Sequence, residues 1–260
     1  MKDFEYKKSL GQNFLNDDNI IQKIVNASCI DKDTLVIEVG PGAGSLSKAI
    51  IPLSGYSLLY EIDTRLKEQL NNLLGNFNNY KIIFDDILNQ DLSVIRKEYS
   101  YKQIYVVANV PYYITTAIIT KMLNELYPEK MILMVQEEVA DRLSAKNGTR
   151  DYGMISALLN SRYNIKKLFK VSKNCFVPKP NVDSAVISLV KDNKMDDIDN
   201  KKFELLIKNA FQFKRKNLRN NLKKYNLLII ESILKKYGYS LESRAEEIPV
   251  EVFIEITKNI

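Results

Sequence analysis

One short run of residues has the chemistry needed to act on an aromatic amine. An apolar segment at 103–108 is followed at once by Asn109, Val110, Pro111 and Tyr112. The exocyclic amine of adenine is a poor nucleophile because its lone pair is delocalised into the ring. Two acceptors on its N–H groups, the Asn109 side-chain oxygen and the Val110 carbonyl, would localise that lone pair toward a sulfonium methyl group. Pro111 restricts the backbone and would hold the carbonyl in place.

Two aromatic residues could hold a base that has left its stack. Tyr112 offers a ring face next to the amide of Asn109, and a base stacked on such a face gains ~1–3 kcal/mol. Phe176 is stiffened by Pro178 and Pro180 and could form a second wall opposite Tyr112. The same phenylalanine could equally fill the edge of the sheet.

A glycine turn followed by two acidic residues predicts a site for an adenosine. The first strand runs into Gly40, Gly42 and Gly44, but Ser45 stands where the dinucleotide fingerprint requires a third spaced glycine. Glu61 ends the second strand and could accept from ribose hydroxyls, and Asp86 follows the third strand and could accept from the adenine amine. No phosphate-binding P-loop sequence is present.

The composition excludes several other kinds of chemistry. The chain of 260 residues has no histidine and two cysteines, so catalytic pairs built on histidine are excluded, and we expect no metal and no disulfide framework. The first twenty residues alternate charged and apolar positions, unlike a signal peptide, and no apolar run is long enough to span a membrane. We therefore expect a cytoplasmic protein whose chemistry depends on amides, carboxylates, tyrosines, lysines or a cofactor.

The elements that must position these residues alternate between strands and helices. Apolar runs of strand length occur at 34–39, 57–62, 80–84, 103–108 and 130–135. Amphipathic segments lie between them at 44–53, 64–74, 91–98 and 114–126. This alternation predicts an α/β fold with a parallel sheet covered on both faces. Two further strands, at 166–171 and 185–190, are expected as an edge pair.

The last part of the chain has a different character. After an acidic linker, the patterns predict helices only, at 201–224, 227–237 and 249–258. We therefore expect two domains, 1–192 as the α/β domain and 193–260 as a small all-helical one.

Positive charge is concentrated in two segments. Residues 161–179 carry six basic side chains and no acidic one, and residues 201–226 carry nine basic and one acidic, against +6 for the whole chain. If 203–224 is one helix, four cations share one strip of it: Lys208, Arg215, Arg219 and Lys223. This distribution indicates a polyanionic partner, and it favours nucleic acid over an anionic membrane. Considered alone, the charge is explained about as well by a solvated lysine-rich surface.

Seven motifs along the chain occur in a characteristic order. They are Gln12–Leu15, Glu38–Gly44, Asn109–Tyr112, Val135–Arg142, Tyr152–Gly153, Phe176–Pro180 with Val182–Val186, and Arg215–Leu222. Together they resemble the ribosomal RNA adenine dimethyltransferases, in the branch that acts on the small subunit, from residue 7 to about residue 247. The chain departs from the family at Val110, where leucine is usual, and at Ser45–Ser47.

The resemblance implies a fold, a reaction and roles for particular residues. It implies a Rossmann-like class I sheet that binds S-adenosylmethionine and dimethylates two adjacent adenosines in a hairpin near the 3′ end of small-subunit rRNA. By position, Asn13 and Leu15 would close the cofactor pocket and Gly40 would line its methionine side. Asn109 would bridge cofactor and target, Glu61 and Asp86 would take the adenosine roles given above, and Phe176 would be the second stacking aromatic.

The resemblance also implies a partner and leaves two alternatives. The expected partner is rRNA in an immature small subunit during ribosome biogenesis. The protein itself is expected to be a monomer that does not contact membranes. One alternative is a large-subunit rRNA adenine methyltransferase of the macrolide-resistance type, which shares the glycine and Asn-x-Pro-Tyr turns. The other is an RNA-binding assembly factor that has lost catalysis, against which the intact Asn109, Tyr112, Glu61 and Asp86 argue.

Overall fold

Seven of the nine strands of the described residues lie where the apolar runs of the sequence predict them. The computed structural model describes residues 11–260. In chain order its strands are β1 (Phe14–Leu15), β2 (Thr34–Val39), β3 (Tyr56–Tyr60), β4 (Tyr80–Ile83), β5 (Gln103–Asn109), β6 (Lys130–Gln136), β7 (Tyr163–Val171), β8 (Phe176–Val177) and β9 (Ser184–Lys191). Residues 1–10, which belong to the segment where no signal peptide is expected, lie outside the described residues.

One large sheet carries most of these strands. Its order is β4-β3-β2-β5-β6-β9-β7, while β1 pairs with β8. The pairs from β4 to β6 are parallel, and β9 runs antiparallel to β6. All six residues of β2 are buried, as expected for a central strand covered on both faces. The predicted α/β fold is confirmed, and its sheet is mixed because of β9.

The order of strands changes direction next to β2. From β2 the chain forms β3 and β4 on one side and then crosses to β5 on the other side. In open α/β sheets, a binding crevice lies beyond the carboxyl ends of the strands at such a point. The glycine turn follows β2 and Asn109 ends β5, so the topology brings these two features to the same crevice.

The helices include three that the sequence patterns did not predict. In chain order they are α1 (Asp18–Ser28), α2 (Ser45–Ile50), α3 (Lys67–Leu74), α4 (Ile95–Glu98), α5 (Thr115–Lys121), α6 (Glu137–Ser144), α7 (Met154–Arg162), α8 (Asn200–Ala210), α9 (Leu218–Asn221), α10 (Leu227–Lys236) and α11 (Val250–Asn259). The unpredicted ones are α1, α6 and α7. In α7 the buried side chains lie on several faces, so it has no one-sided apolar stripe. No helix within residues 11–260 is both long and apolar enough to cross a membrane.

Two compact units make up the described chain. The first contains the described residues up to Ala140 together with Lys167–Val190, and the second contains Asp141–Lys166 and Lys191–Ile260. This division differs from the predicted one of 1–192 and 193–260. Residues 141–166 belong to the second unit because Ala145, Tyr152 and Ala157 pack into its apolar cluster, which includes Phe203 and Phe253.

The predicted continuous helix over 203–224 is wrong. Helix α8 ends at Ala210, and a turn separates it from α9. The reason is the buried side chain of Asn221, whose Nδ2 donates to the carbonyls of Ala210 (2.7 Å), Phe213 (3.3 Å) and Lys216 (3.4 Å). These bonds stabilise the turn in place of the helical hydrogen bonds that a continuous helix would form.

The four cations predicted as one strip therefore do not lie on one helix. Lys208 lies on α8, Arg215 lies in the turn, and Lys223 follows α9. Arg219 forms an ion pair with Glu242, with 2.8 Å between Nε and Oε1. The predicted strip assumed one helical period over residues 203–224, whereas the helix ends at Ala210. The sequence pattern also could not show that Glu242 lies beside Arg219.

Candidate active site

A pocket opens at the carboxyl ends of the central strands in the first unit. It encloses about 970 Å³ of empty space, including its open mouth. Ten residues predicted for the site line it: Asn13, Leu15, Gly40, Gly42, Glu61, Asp86, Asn109, Val110, Pro111 and Tyr112. A concave site lined by several polar groups of this kind suits a small ligand. The structure thus brings together residues that are up to a hundred positions apart in the chain.

The glycine turn forms one wall of the pocket. Gly42 has a positive φ of 57°, and a Cβ added to it would lie 2.8 Å from the ring of Phe14. A side chain is therefore excluded by both backbone conformation and space. Gly44, predicted as a cofactor contact, instead precedes α2 as its N-terminal cap and is not among the described residues that line the pocket.

Glu61 connects the second strand to the glycine turn. Its carboxylate accepts from the backbone N–H of Gly42 (3.0 Å) and from that of Asp63 (2.9 Å). Burial raises the pKa of Glu61, and these two bonds act in the opposite direction. The amide of Gly42 is therefore held by Glu61.

Asp86 and Asp85 bring carboxylates to the next strand end. Both line the pocket. Asp86 begins a short helical turn, and its Oδ1 accepts from the N–H of Leu88 at 2.9 Å. This bond orients the carboxylate and leaves further lone pairs for a ligand donor.

Glu38, the first residue of the Glu38–Gly44 motif, is a further residue of the site for which the sequence predicts no separate role. It lines the pocket and is buried, and Ser47 Oγ donates to its Oε2 at 2.6 Å. Burial raises the pKa of Glu38 to about 8. The sequence signal for Glu38 is its position as a charged residue inside the apolar strand at 34–39. A carboxylate is costly to bury there unless a partner or a function compensates for it.

Asn109 is oriented by a partner at the other end of the chain. Its Nδ2 donates to the carbonyl of Asn13 at 3.0 Å. Because the amide nitrogen is occupied in this way, Oδ1 is the end that can accept from a ligand. Val110 is anchored beside it by its N–H to the carbonyl of Met134 (3.1 Å), and Pro111 has φ −55°. These contacts hold the Asn-Val-Pro turn in one conformation.

Phe176, predicted as the second stacking aromatic, is buried and is not among the described residues that line the pocket with Tyr112. It is 3% exposed and packs in the apolar cluster that contains Leu15 and Ile20. Its strand β8 pairs with β1, with Phe176 opposite Leu15. The pairing of these two short strands, which the sequence did not predict, places the ring among core residues.

Tyr112 is held through its hydroxyl. The hydroxyl oxygen lies 2.6 Å from Oγ of Ser184, a fully buried residue on β9. Burial raises the pKa of Tyr112. The ring is therefore fixed at the pocket wall by a residue 72 positions away. Ser184 belongs to the Val182–Val186 motif, and no local pattern in the sequence indicates its contact with Tyr112.

The hydrogen bond between Tyr112 and Ser184 predicts that substitutions of the two residues have coupled effects on stability. We expect Tyr112→Phe and Ser184→Ala each to lower the free energy of unfolding by about 1–3 kcal/mol, because each leaves one hydroxyl of the pair without its partner. The double variant should lose clearly less than the sum, since it removes both hydroxyls. Urea unfolding of the four proteins measures this. Ser188→Ala, on the same strand, is the matched control and should add independently to Tyr112→Phe. Additive losses for Tyr112 and Ser184 would contradict the coupling.

Comparisons with known proteins find similar sequences and similar folds. Residues 3–260 match the family described as ribosomal RNA adenine dimethylase. A Mycoplasma mobile protein named ribosomal RNA small subunit methyltransferase A is 40% identical over 250 residues, which cover 95% of each chain. The solved structure of a Plasmodium falciparum dimethyladenosine transferase is similar with a TM-score of 0.77 at 21% identity, covering 94% of this chain and 95% of that one. The 23S rRNA methyltransferase ErmE gives 0.74 at 24% identity, covering 95% and 98%. At these identities the two structures support the fold alone.

Proposed function

Since the chain belongs to the ribosomal RNA adenine dimethylase family, we propose that it dimethylates the exocyclic amines of two adjacent adenosines in small-subunit rRNA. The enzyme depends on S-adenosylmethionine. The target adenosines would lie in the hairpin near the 3′ end that the family resemblance implies. The observation that carries this proposal is that the turn at 109–112 lines the same pocket as Glu61 and Asp86.

The pocket has the groups needed to hold S-adenosylmethionine. Glu61 and Asp86 are carboxylates at neighbouring strand ends, where they would accept from the ribose hydroxyls and the adenine amine. The turn at Gly40 and Gly42 carries no side chain that would block the ligand. When bound, S-adenosylmethionine supplies a methyl group from its sulfonium centre. Asn13 and Leu15 would close this part of the pocket.

Two acceptors of the chain would activate the target amine. Asn109 Oδ1 and the Val110 carbonyl would each accept from one N–H of the adenine amine and localise its lone pair toward the methyl group. The bond from Asn109 Nδ2 to Asn13 supports this orientation, since it keeps Oδ1 as the accepting end. Such fixed acceptors need no reorganisation during the reaction, which is how oriented dipoles lower a barrier.

The Tyr112 ring would stack on the extruded adenine. Its hydroxyl is bonded to Ser184, so the ring is already fixed before the base arrives. Phe176 would have to leave its buried position in order to stack on the other face. We therefore assign the stacking contact to Tyr112.

The small-subunit substrate is favoured over the two alternatives. The Mycoplasma mobile relative at 40% identity is named for the small subunit, whereas the large-subunit enzyme ErmE shares the fold at 24% identity. A non-catalytic assembly factor would have no use for Asn109, Tyr112, Glu61 and Asp86 in one pocket.

The proposed setting is ribosome assembly in the cytoplasm. We propose that the chain acts as a monomer on rRNA within an immature small subunit. Lys208, Arg215 and Lys223 are exposed and remain candidates for phosphate contacts. Arg219 would contact RNA only if its ion pair with Glu242 broke, or if its guanidinium group bound Glu242 and a phosphate at the same time.

Methylation of two rRNA substrates tests the proposed function. We expect the purified chain to transfer methyl groups from S-adenosylmethionine to small subunits that lack the modification, giving dimethyladenosine at two adjacent positions in mass spectrometry of the RNA digest. Naked large-subunit rRNA serves as the comparison and should remain unmodified. Preferential methylation of the large-subunit RNA would support the first alternative, and binding without any methylation would support the second.

A further inference from the structure

An exposed aromatic ring stands beside three consecutive cations in the turn between α8 and α9. Phe213 is 57% exposed, and Lys214, Arg215 and Lys216 follow it directly, all exposed. We propose that Phe213 stacks on an unpaired base of the RNA while these cations contact the neighbouring phosphates. The inference rests on the proposed rRNA substrate and adds a second base-binding site, separate from the methylation pocket.

Of the two phenylalanines at 211 and 213, only Phe213 is exposed. Phe211, two positions earlier, packs edge-on against Tyr152 and also contacts Phe253 in the core of the second unit. Phe213 is therefore not needed to fill that core. A large apolar side chain left in water has an unfavourable hydration free energy, which a stacked base would relieve.

The turn that presents Phe213 is fixed by its own hydrogen bonds. The buried Asn221 donates to the carbonyls of Ala210, Phe213 and Lys216. The N–H of Lys216 also donates to the carbonyl of Phe213 at 2.9 Å. The backbone that carries the ring and the cations is consequently held in a defined conformation before a ligand binds, which lowers the entropic cost of binding.

The three cations are available for phosphates. Among the described residues, no carboxylate forms an ion pair with Lys214, Arg215 or Lys216, in contrast to Arg219, which is paired with Glu242. A cationic surface with an aromatic ring is the combination that single-stranded nucleic acid recognises, with phosphates on the cations and a base on the ring. Duplex RNA keeps its bases stacked on each other and offers none to the ring.

Fluorescence gives a direct test because the chain contains no tryptophan. Phe213→Trp introduces one reporter at the proposed site, and the probe is a synthetic RNA hairpin with an unpaired loop. We expect strong quenching of the fluorescence of this introduced indole when the loop hairpin binds, because a stacked base quenches an indole. A fully paired duplex of equal length and charge should bind through its phosphates with little quenching.

Leu228→Trp is the matched control. Leu228 is 80% exposed on α10 in the same unit, and no cation lies within three residues of it. Its fluorescence should change little with either RNA. Equal quenching of the two reporters, or equal quenching by loop and duplex RNA, would overturn the stacking proposal.

Affinity measurements complete the test. Phe213→Ala should weaken binding of the loop hairpin ~5- to 150-fold, the range for loss of one stacked base, and Phe213→Tyr should restore most of it. Binding of the duplex should not change. If Phe213→Ala binds the hairpin like the parent, the proposal fails. Methylation of small subunits by the parent chain, measured in parallel, shows separately whether the proposed function holds.

Discussion

We expect Asn109→Ala to slow methyl transfer by roughly two to three orders of magnitude while association with rRNA persists. The side-chain oxygen of Asn109 would act on the amine as its lone pair is localised, so its loss affects the transition state directly. Removing one oriented polar group of this kind lowers kcat by roughly 100- to 1000-fold. Most RNA affinity comes from phosphate contacts elsewhere and should remain.

Single-turnover methylation of small subunits and a binding assay with the same particles measure the two effects. Asn72→Ala, the same substitution at an exposed position on α3, is the control and should behave like the parent in both assays. The variant also loses the bond to the carbonyl of Asn13, so its unfolding should be compared with that of the parent. Retention of more than a tenth of the parent kcat would remove Asn109 from the proposed role.

We expect Glu61→Ala to cause a large loss of affinity for S-adenosylmethionine. Glu61 would accept from the ribose hydroxyls, and each hydrogen bond to a charged group contributes about 1.5–3 kcal/mol. The variant also frees the N–H of Gly42, which the carboxylate holds in the glycine turn. Isothermal calorimetry with S-adenosylmethionine measures the change in Kd, and Glu68→Ala on α3 is the matched control. An unchanged Kd would exclude Glu61 from the site.

The same residue gives the affinity a predicted dependence on pH. Because burial raises the pKa of Glu61, the carboxylate takes up a proton at a higher pH than an exposed glutamate does. Cofactor affinity should therefore decline as pH falls through this raised pKa, and Glu61→Gln should remove that decline. A parallel decline in the glutamine variant would assign the effect to another group.

Much of the first unit could be predicted from local sequence patterns. Apolar runs of five or six residues specify buried parallel strands, because both faces of such strands are covered and no alternation with polar residues is required. The strand from 34 to 39 is observed with the predicted bounds, and the glycines after it have the positive φ that their residue type permits. The positions of Glu61, Asp86 and Asn109 at the pocket then follow from the parallel topology.

Helices without a one-sided pattern could not be predicted in the same way. Helix α7 is buried on several faces, so it lacks the apolar stripe by which a surface helix is detected. Conversely, the segment 203–224 has a helical period across its whole length and is nevertheless broken after Ala210. There the local preference is overruled by the buried amide of Asn221, which satisfies three carbonyls of the turn.

The sequence by itself determined the α/β fold, the places of its main strands along the chain and the residue types that follow them, because these depend on periodicity among neighbouring residues. Only the tertiary structure decided which side chains are partners. Asn109 is oriented by Asn13, 96 positions earlier, and Tyr112 is held by Ser184, 72 positions later. Phe176 is buried by the pairing of its strand with β1, and Arg219 is paired with Glu242. Such contacts depend on distances across the folded chain, which no local pattern encodes.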